Sequence, residues 1–231
     1  MNYAKNYERC CHEPTSVLQR WFIGILARRA REIGQSGHKI WGLKWVLDNY
    51  FEGRSALTVL DCGAWNGWFL SYESPAIRTK IAMDFDSHFA RDLASRGIRF
   101  VLADMEKGHF PLAEASVDLL AMTSTLEHLS PPEHIAKEIR RVLKPGGVTF
   151  ITVPDIKKYK FNFWNDITHK RPYTATSLRF LFETHGLGTL ELSPYNHNLF
   201  IAGNLFGPRT QRWLMRRRAN ALLYVGRKPG P

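Results

Sequence analysis

The stretch from Leu57 to Gly67, LTVLDCGAWNG, constrains this chain more than any other. Thr58, Val59 and Leu60 form a short apolar, partly β-branched run that stops at Asp61, and Gly63 and Gly67 follow at once. A buried strand ending in a glycine turn that feeds a helix is the opening unit of a doubly wound α/β sheet. Such sheets bind ligands at the carboxyl ends of their strands, where the strand order reverses. Glycine in the turn lets backbone come close to a ligand with no Cβ between them.

The rest of the chain continues that alternation. A short helix is expected from Gly67 to about residue 72, cut off near Pro75. Strand two is expected over residues 80–83, ending at Asp84, and Asp86 or Ser87 caps a helix to about residue 95 that Gly97 ends. Strands three and four fall at 98–103 and 117–122, the first followed by Asp104 and Met105, the second by Thr123, Ser124 and Thr125. Pro131 and Pro132 open a helix to about residue 143. Residues 144–147 read as a turn and 148–153 as strand five. A helix from Thr174 or Thr176 to residue 184, closed by Gly186, precedes strands at 188–192 and 219–227. The expected fold is therefore α/β, a doubly wound and mostly parallel seven-stranded sheet over residues 55–231. Residues 1–54 read as an N-terminal helical cap, with one helix from Thr15 or Ser16 to about residue 32 and another over 39–51. The first of these is taken as a cap or lid in preference to a helix lying on a membrane surface.

At 231 residues with 44% apolar side chains, the chain is long enough for one large α/β core and is not of disordered composition. Three cysteines, two of them adjacent, make no disulfide framework and suit a reducing compartment. The amino terminus lacks an apolar signal core, and no early run is long enough to span a bilayer, so a cytoplasmic location is expected. The net charge of +11 is uneven: +4 over residues 1–60, −3 over 61–155 and +10 over 156–231. The mildly acidic centre is the part expected to hold a ligand. The basic flanks favour anionic partners, with nucleic acid and a peripheral lipid contact both left open, against the plain reading of a solubilising surface.

Acids follow strands one, two and three, as in sheets that bind nucleosides. Asp61 and Asp84 are 23 positions apart, close to the spacing of about 20 at which such units place a ribose-binding acid. The pattern Gly-x-Gly-x-x-Gly that holds a pyrophosphate on a helix amino terminus is absent. A ligand with ribose and adenine but no phosphate fits better. Each acid, taken alone, is also readable as a strand-end or turn cap.

Residues 57–154 resemble the class I S-adenosylmethionine-dependent methyltransferases, with a looser match to the end of the chain. The family motif Asp-x-Gly-x-Gly-x-Gly is matched by Asp61, Gly63 and Gly67; its middle glycine is Trp65 here, a departure. The stretch Thr125-Leu126-Glu127-His128-Leu129 and the turn Leu143-Lys144-Pro145-Gly146-Gly147 are similar to the family as well. The resemblance implies S-adenosyl-L-methionine as cofactor, with Asp61, Gly63 and Gly67 at its turn and Asp84 on the ribose. It also implies Asp104 and Met105 near the adenine and Thr123 to Thr125 near the sulfonium.

Beyond strand five, residues 161–174 (FNFWNDITHKRPYT) pack aromatics, a carboxylate, a histidine and two cations together. The segment is similar to Asp-x-Thr-His-x-Arg-Pro-Tyr-Thr in the branch of that family associated with glycan and cell-envelope biosynthesis. An acceptor loop is therefore expected at about 155–175, with Arg171, Tyr173 and Trp164 as substrate contacts. The implied reaction moves a methyl group to a hydroxyl or amine of a small-molecule, sugar or glycan acceptor, anionic in character. His169 is the first candidate for a general base, oriented by Asp166, and His128 is the second. No metal is required, and no His-x-x-x-His pair occurs. Two other functions stay open: an RNA methyltransferase, from the basic flanks and aromatic loop, and a non-catalytic cofactor-binding or scaffold protein, from Trp65.

Overall fold

The computed structural model describes residues 37–195 and 219–230. Strands β1 (Leu57–Cys62), β2 (Ile77–Asp84), β3 (Arg99–Leu102), β4 (Val117–Thr123), β5 (Leu143–Pro154), β6 (Gly188–Tyr195) and β7 (Ala221–Arg227) form one sheet. Their order is β3-β2-β1-β4-β5-β7-β6. The pairs linking β1 to β5 are parallel, and β7 runs antiparallel to both β5 and β6. The order reverses between β1 and β4, so the expected ligand crevice lies beyond the carboxyl ends of those two strands.

The central strands are buried on both faces, which is why β1 and β4 read as continuous apolar runs. Alternate residues serve opposite cores. Leu60, Cys62, Leu120 and Met122 face one, with helices α3 (Pro132–Val142) and α5 (Ala175–Thr184); Val59, Leu119 and Ala121 face the other, with α1 (Gly37–Tyr50). In α3 the buried positions Ile135, Ala136, Ile139 and Val142 recur at helical spacing, with Pro132 in the first turn. Thr174, one of the two expected caps, forms a reciprocal capping box with Ser177 at the start of α5.

Several expectations shift. After Gly67 the chain makes only one 3₁₀ turn, Phe69–Ser71. Asp86 and Ser87 form a turn, through His88 N to Asp86 Oδ1 and Ala90 N to the Ser87 carbonyl, and the helix α2 (Ala90–Ser95) starts after them. Residues 144–147, expected as a separate turn, belong to β5. They bulge out of register between Val117↔Leu143 and Leu119↔Val148, and Gly146 and Gly147 pair instead with Lys228. The expected helix at 15–32 lies outside the described residues, as do residues 199–218, which in sequence read as an apolar segment (199–206) and a basic helix (210–218). No helix among the described residues is long and apolar enough to cross a membrane.

Candidate functional site

The residues singled out from the sequence come from the carboxyl ends of β1, β2, β3 and β4 and from the segment after β5. Asp61, near the end of β1, is buried, and the turn that follows is held by Gly63 N to the Met83 carbonyl at 2.8 Å and Gly67 N to the Ala64 carbonyl at 2.8 Å. Both glycines have positive φ, +72° and +71°. A Cβ on Gly63 would stand 2.4 Å from the Thr125 side chain, and one on Gly67 would stand 2.4 Å from Leu93. The turn is thus pressed on one side against the exit of β4 and on the other against α2.

Trp65 sits in the same turn at φ +50°, the left-handed region that glycine normally fills. The departure from the family motif is therefore accommodated at a left-handed backbone position. The Trp65 amide donates to Asp84 Oδ2 at 2.9 Å, and its indole packs against Phe89 at 5.5 Å. Asp84 Oδ1 also accepts from the Asp86 amide at 3.1 Å. Burial pushes the Asp84 carboxyl above its usual range, although these amides pull the other way. A carboxylate has about four acceptor positions, so Asp84 keeps capacity for donors on a ligand.

After β3, Asp104 is partly exposed and ion-paired with Lys107 at 2.9 Å; that contact and the Glu106 amide hold its carboxyl low. Met105 is 4% exposed and belongs to the core beneath the strand ends. Thr123 ends β4 and is buried; its carbonyl accepts from the Thr125 hydroxyl at 3.2 Å. Cys62 is buried as well, and burial pushes its thiol well up, which leaves it inert as a nucleophile.

The segment after β5 is fastened to these ends through Glu127 and to itself at two places. The amides of Lys170 and Arg171 both donate to the Glu127 carbonyl, at 2.9 and 3.0 Å. Tyr173 bridges Asp155, and its carbonyl accepts from the Ile156 amide at 3.1 Å. Phe163 is buried and stacks on His169 at 4.3 Å. As a result His128, Asp166 and His169, up to 41 positions apart in sequence, share one cluster.

Hydrogen-bond chemistry fixes the tautomers in that cluster. The Thr168 hydroxyl donates to Asp166 Oδ1 at 2.6 Å, so toward His128 Nδ1, 2.9 Å away, it can only accept. His128 therefore carries its proton on Nδ1 and its lone pair on Nε2. His169 Nδ1 lies 2.6 Å from the Phe163 carbonyl, which can only accept, so its lone pair is also on Nε2. Burial, with the neighbouring His169, pushes the His128 imidazole below its ordinary value. Burial works to raise Asp166, but the Thr168 hydroxyl and amide and the two imidazoles outweigh it and hold the carboxyl low.

The expected partnership of Asp166 with His169 is a loose one, Nε2 to Oδ2 being 3.8 Å, beyond hydrogen-bond range. Asp166 reaches His128 instead, through Thr168, a residue the sequence reading did not assign. Glu127, His128 and His169 offer one ligand atom each within 4.8 Å. Of the expected substrate contacts, Trp164 and Arg171 are exposed, whereas Tyr173 is 2% exposed and its ring lies in the core.

Residues 60–151 match the family described as a methyltransferase domain. A protein of Mycolicibacterium smegmatis named a probable S-adenosylmethionine-dependent methyltransferase is 29% identical over 132 residues, covering 55% of this chain and 51% of that one. The human thiol S-methyltransferase TMT1B is 34% identical over 106 residues, covering 42% of each. The chain spans about half the length, or less, of the curated relatives it matches. A solved S-adenosylmethionine-dependent methyltransferase from Mesorhizobium loti shares the fold, with a TM-score of 0.64 at 16% identity over 84% of this chain and all of that one.

Proposed function

Residues 60–151 belong to the class I S-adenosylmethionine-dependent methyltransferase family, and from that premise we propose that the chain methylates a hydroxyl group, with His128 as general base. The acceptor class we favour is a small molecule or saccharide. The observation that carries the reading is the chain of hydrogen bonds from His128 Nδ1 through the Thr168 hydroxyl to Asp166, one turn from the glycine turn that Thr125 contacts.

The residues at the strand ends fit the cofactor. Gly63 and Thr125 are so close that no side chain fits between the turn and the β4 exit, and Asp84 presents a buried carboxylate beside that turn. In this reading Asp61, Gly63 and Gly67 form the cofactor turn, Asp84 takes the ribose hydroxyls, and Asp104 and Thr123 flank the adenine and sulfonium ends. When bound, S-adenosylmethionine supplies an electrophilic methyl group and a neutral thioether leaving group.

The protein contributes alignment and a place for the proton. The acceptor hydroxyl gives its proton to His128 Nε2, and the imidazolium that forms is stabilised through Nδ1 by Thr168 and the ionised Asp166. Such a base contributes on the order of 10²–10⁴ in rate. An amine acceptor would need no base, only its own neutral form, so a built proton acceptor favours a hydroxyl. Arg171, exposed on the same segment, is suited to an anionic group of the acceptor. A screen of hydroxylated acceptors with methyl-labelled S-adenosylmethionine tests the proposal. Label should move to oxygen in the wild type and fall at least 100-fold in His128→Ala; transfer only to amines, unaffected by that change, would refute it.

A further inference from the structure

The tip of the segment after β5 exposes apolar side chains to a degree the acceptor site does not require. Phe161 is 90% exposed, Ile167 95% and Trp164 52%. Large apolar residues this exposed, gathered within seven positions, mark an interaction surface rather than ordinary scatter. Next to them α4 (Ile156–Tyr159) and the turn after it carry Lys157, Lys158 and Lys160, all exposed. Among the described residues none of these lysines makes an ion pair. The two acids of the segment are turned to its own structure: Asp155 caps α4 by accepting from the Lys157 amide, and Asp166 accepts from Thr168.

The tip is also held in shape. Phe163 is buried between His169, stacked at 4.3 Å, and Trp164, edge-on at 5.0 Å, while Asp155 and Tyr173 join the two ends of the segment. Phe161 and Ile167 are thus presented from a fastened loop, with little conformational freedom left to lose on binding.

We propose that this tip is a peripheral docking surface for a bilayer with anionic headgroups. Phe161 and Ile167 enter the interfacial layer, and Lys157, Lys158 and Lys160 face lipid phosphates. Charge decides against a second copy of the chain, since a two-fold contact through this tip would set lysines against lysines. Isoleucine, which offers no ring to stack on a base, decides against single-stranded nucleic acid. The docking would set the acceptor loop at the membrane surface, and it stands on the surface alone, independently of the methyl-transfer reading.

Sedimentation of the full chain with phosphatidylcholine vesicles, with and without 30 mol% phosphatidylglycerol, tests it. The wild type should partition at least tenfold more strongly onto the anionic vesicles, and both Phe161→Ser/Ile167→Ser and Lys157→Glu/Lys158→Glu should lose at least tenfold of that. Melting temperature and S-adenosylhomocysteine affinity, measured alongside, separate this from a folding defect; if the first double variant melts early, Ile167→Ser alone serves. Equal partition onto both vesicle types, or variants that partition like the wild type, would overturn the proposal. So would a wild type that ignores vesicles while these residues drive self-association or binding of a single-stranded RNA.

Discussion

The backbone amide of Trp65 donates to Asp84 Oδ2 across 2.9 Å. The residue that breaks the family's glycine pattern is therefore the one that orients the buried acid at the end of β2. It does so because its φ of +50° keeps the left-handed turn that a glycine would make. An L side chain held there costs roughly 1–2 kcal/mol, offset in part by the indole's contact with Phe89 at 5.5 Å.

Trp65→Gly should accordingly leave both stability and ligand binding nearly unchanged. It removes the strain but also an aromatic pair worth roughly 0.5–1.5 kcal/mol. Calorimetry with S-adenosylhomocysteine should show affinity within about threefold of wild type and a melt without large loss. A tenfold loss would mean that the indole itself covers the ligand.

Asp84→Asn should weaken S-adenosylhomocysteine by roughly 1–3 kcal/mol, the scale of lost charge-assisted hydrogen bonds. Its effect on stability is a balance of two opposing effects. The carboxyl's value is raised in the folded state, so its contribution is present below the unfolded value near 3.8 and is lost as pH rises through the folded value. At neutral pH asparagine removes the cost of the ionised, buried acid, but its single oxygen can accept from only one of the Trp65 and Asp86 amides, so the two effects offset and the melting temperature should change little. Unchanged affinity in calorimetry would take Asp84 out of the ribose site.

His128→Ala should lower kcat by about 10²–10⁴ and His169→Ala by clearly less, with S-adenosylhomocysteine affinity kept in both. Thr168→Val cuts the link to Asp166, so it should lower kcat more than it raises KM. Because burial lowers the His128 imidazole, the acid limb of kcat/KM should fall below the ordinary histidine value of 6.5. The same shift makes the stability contribution of His128 present above 6.5 and lost as pH falls toward the folded value. A larger loss in His169→Ala, or an acid limb above 6.5, would return the base to His169.

What was legible in the sequence is what local chemistry decides. The run Thr58-Val59-Leu60 before Gly63, and Asp84 after an apolar stretch, announce strands and turns because burial and φ are written in single residues. The cap at Thr174 is equally local. The partnership in the candidate site was not, because Asp166 lies close in sequence to His169 yet bonds through Thr168 to His128, 38 positions away. Lys144 to Gly147 look like a turn until Lys228, more than 80 positions on, supplies the pairing that draws them into β5. Trp65 reads as a missing glycine because sequence reports the side chain and not the φ it tolerates.

Tyr173 supplies a further test of the same point. Its place in a site-like motif suggests substrate contact, but its ring is in the core and its hydroxyl meets no partner there. Burial, with Glu127 and Glu133 nearby, pushes that hydroxyl far up, so it takes no part as an acid. Tyr173→Phe should keep the acceptor KM and leave stability equal or higher by up to about 1 kcal/mol, since a buried unsatisfied hydroxyl is removed. A raised KM with an unchanged melt would place the hydroxyl on the substrate.

The claim that the turn after β1 holds the cofactor is tested most directly by calorimetric titration of S-adenosylhomocysteine into the wild type and Gly63→Ala. The added methyl would meet Thr125 at 2.4 Å from a φ of +72°. Clear one-site binding by the wild type and at least a tenfold loss in the variant are expected, with the fold retained by circular dichroism. Absence of binding by the wild type, or equal affinity in Gly63→Ala, would contradict it.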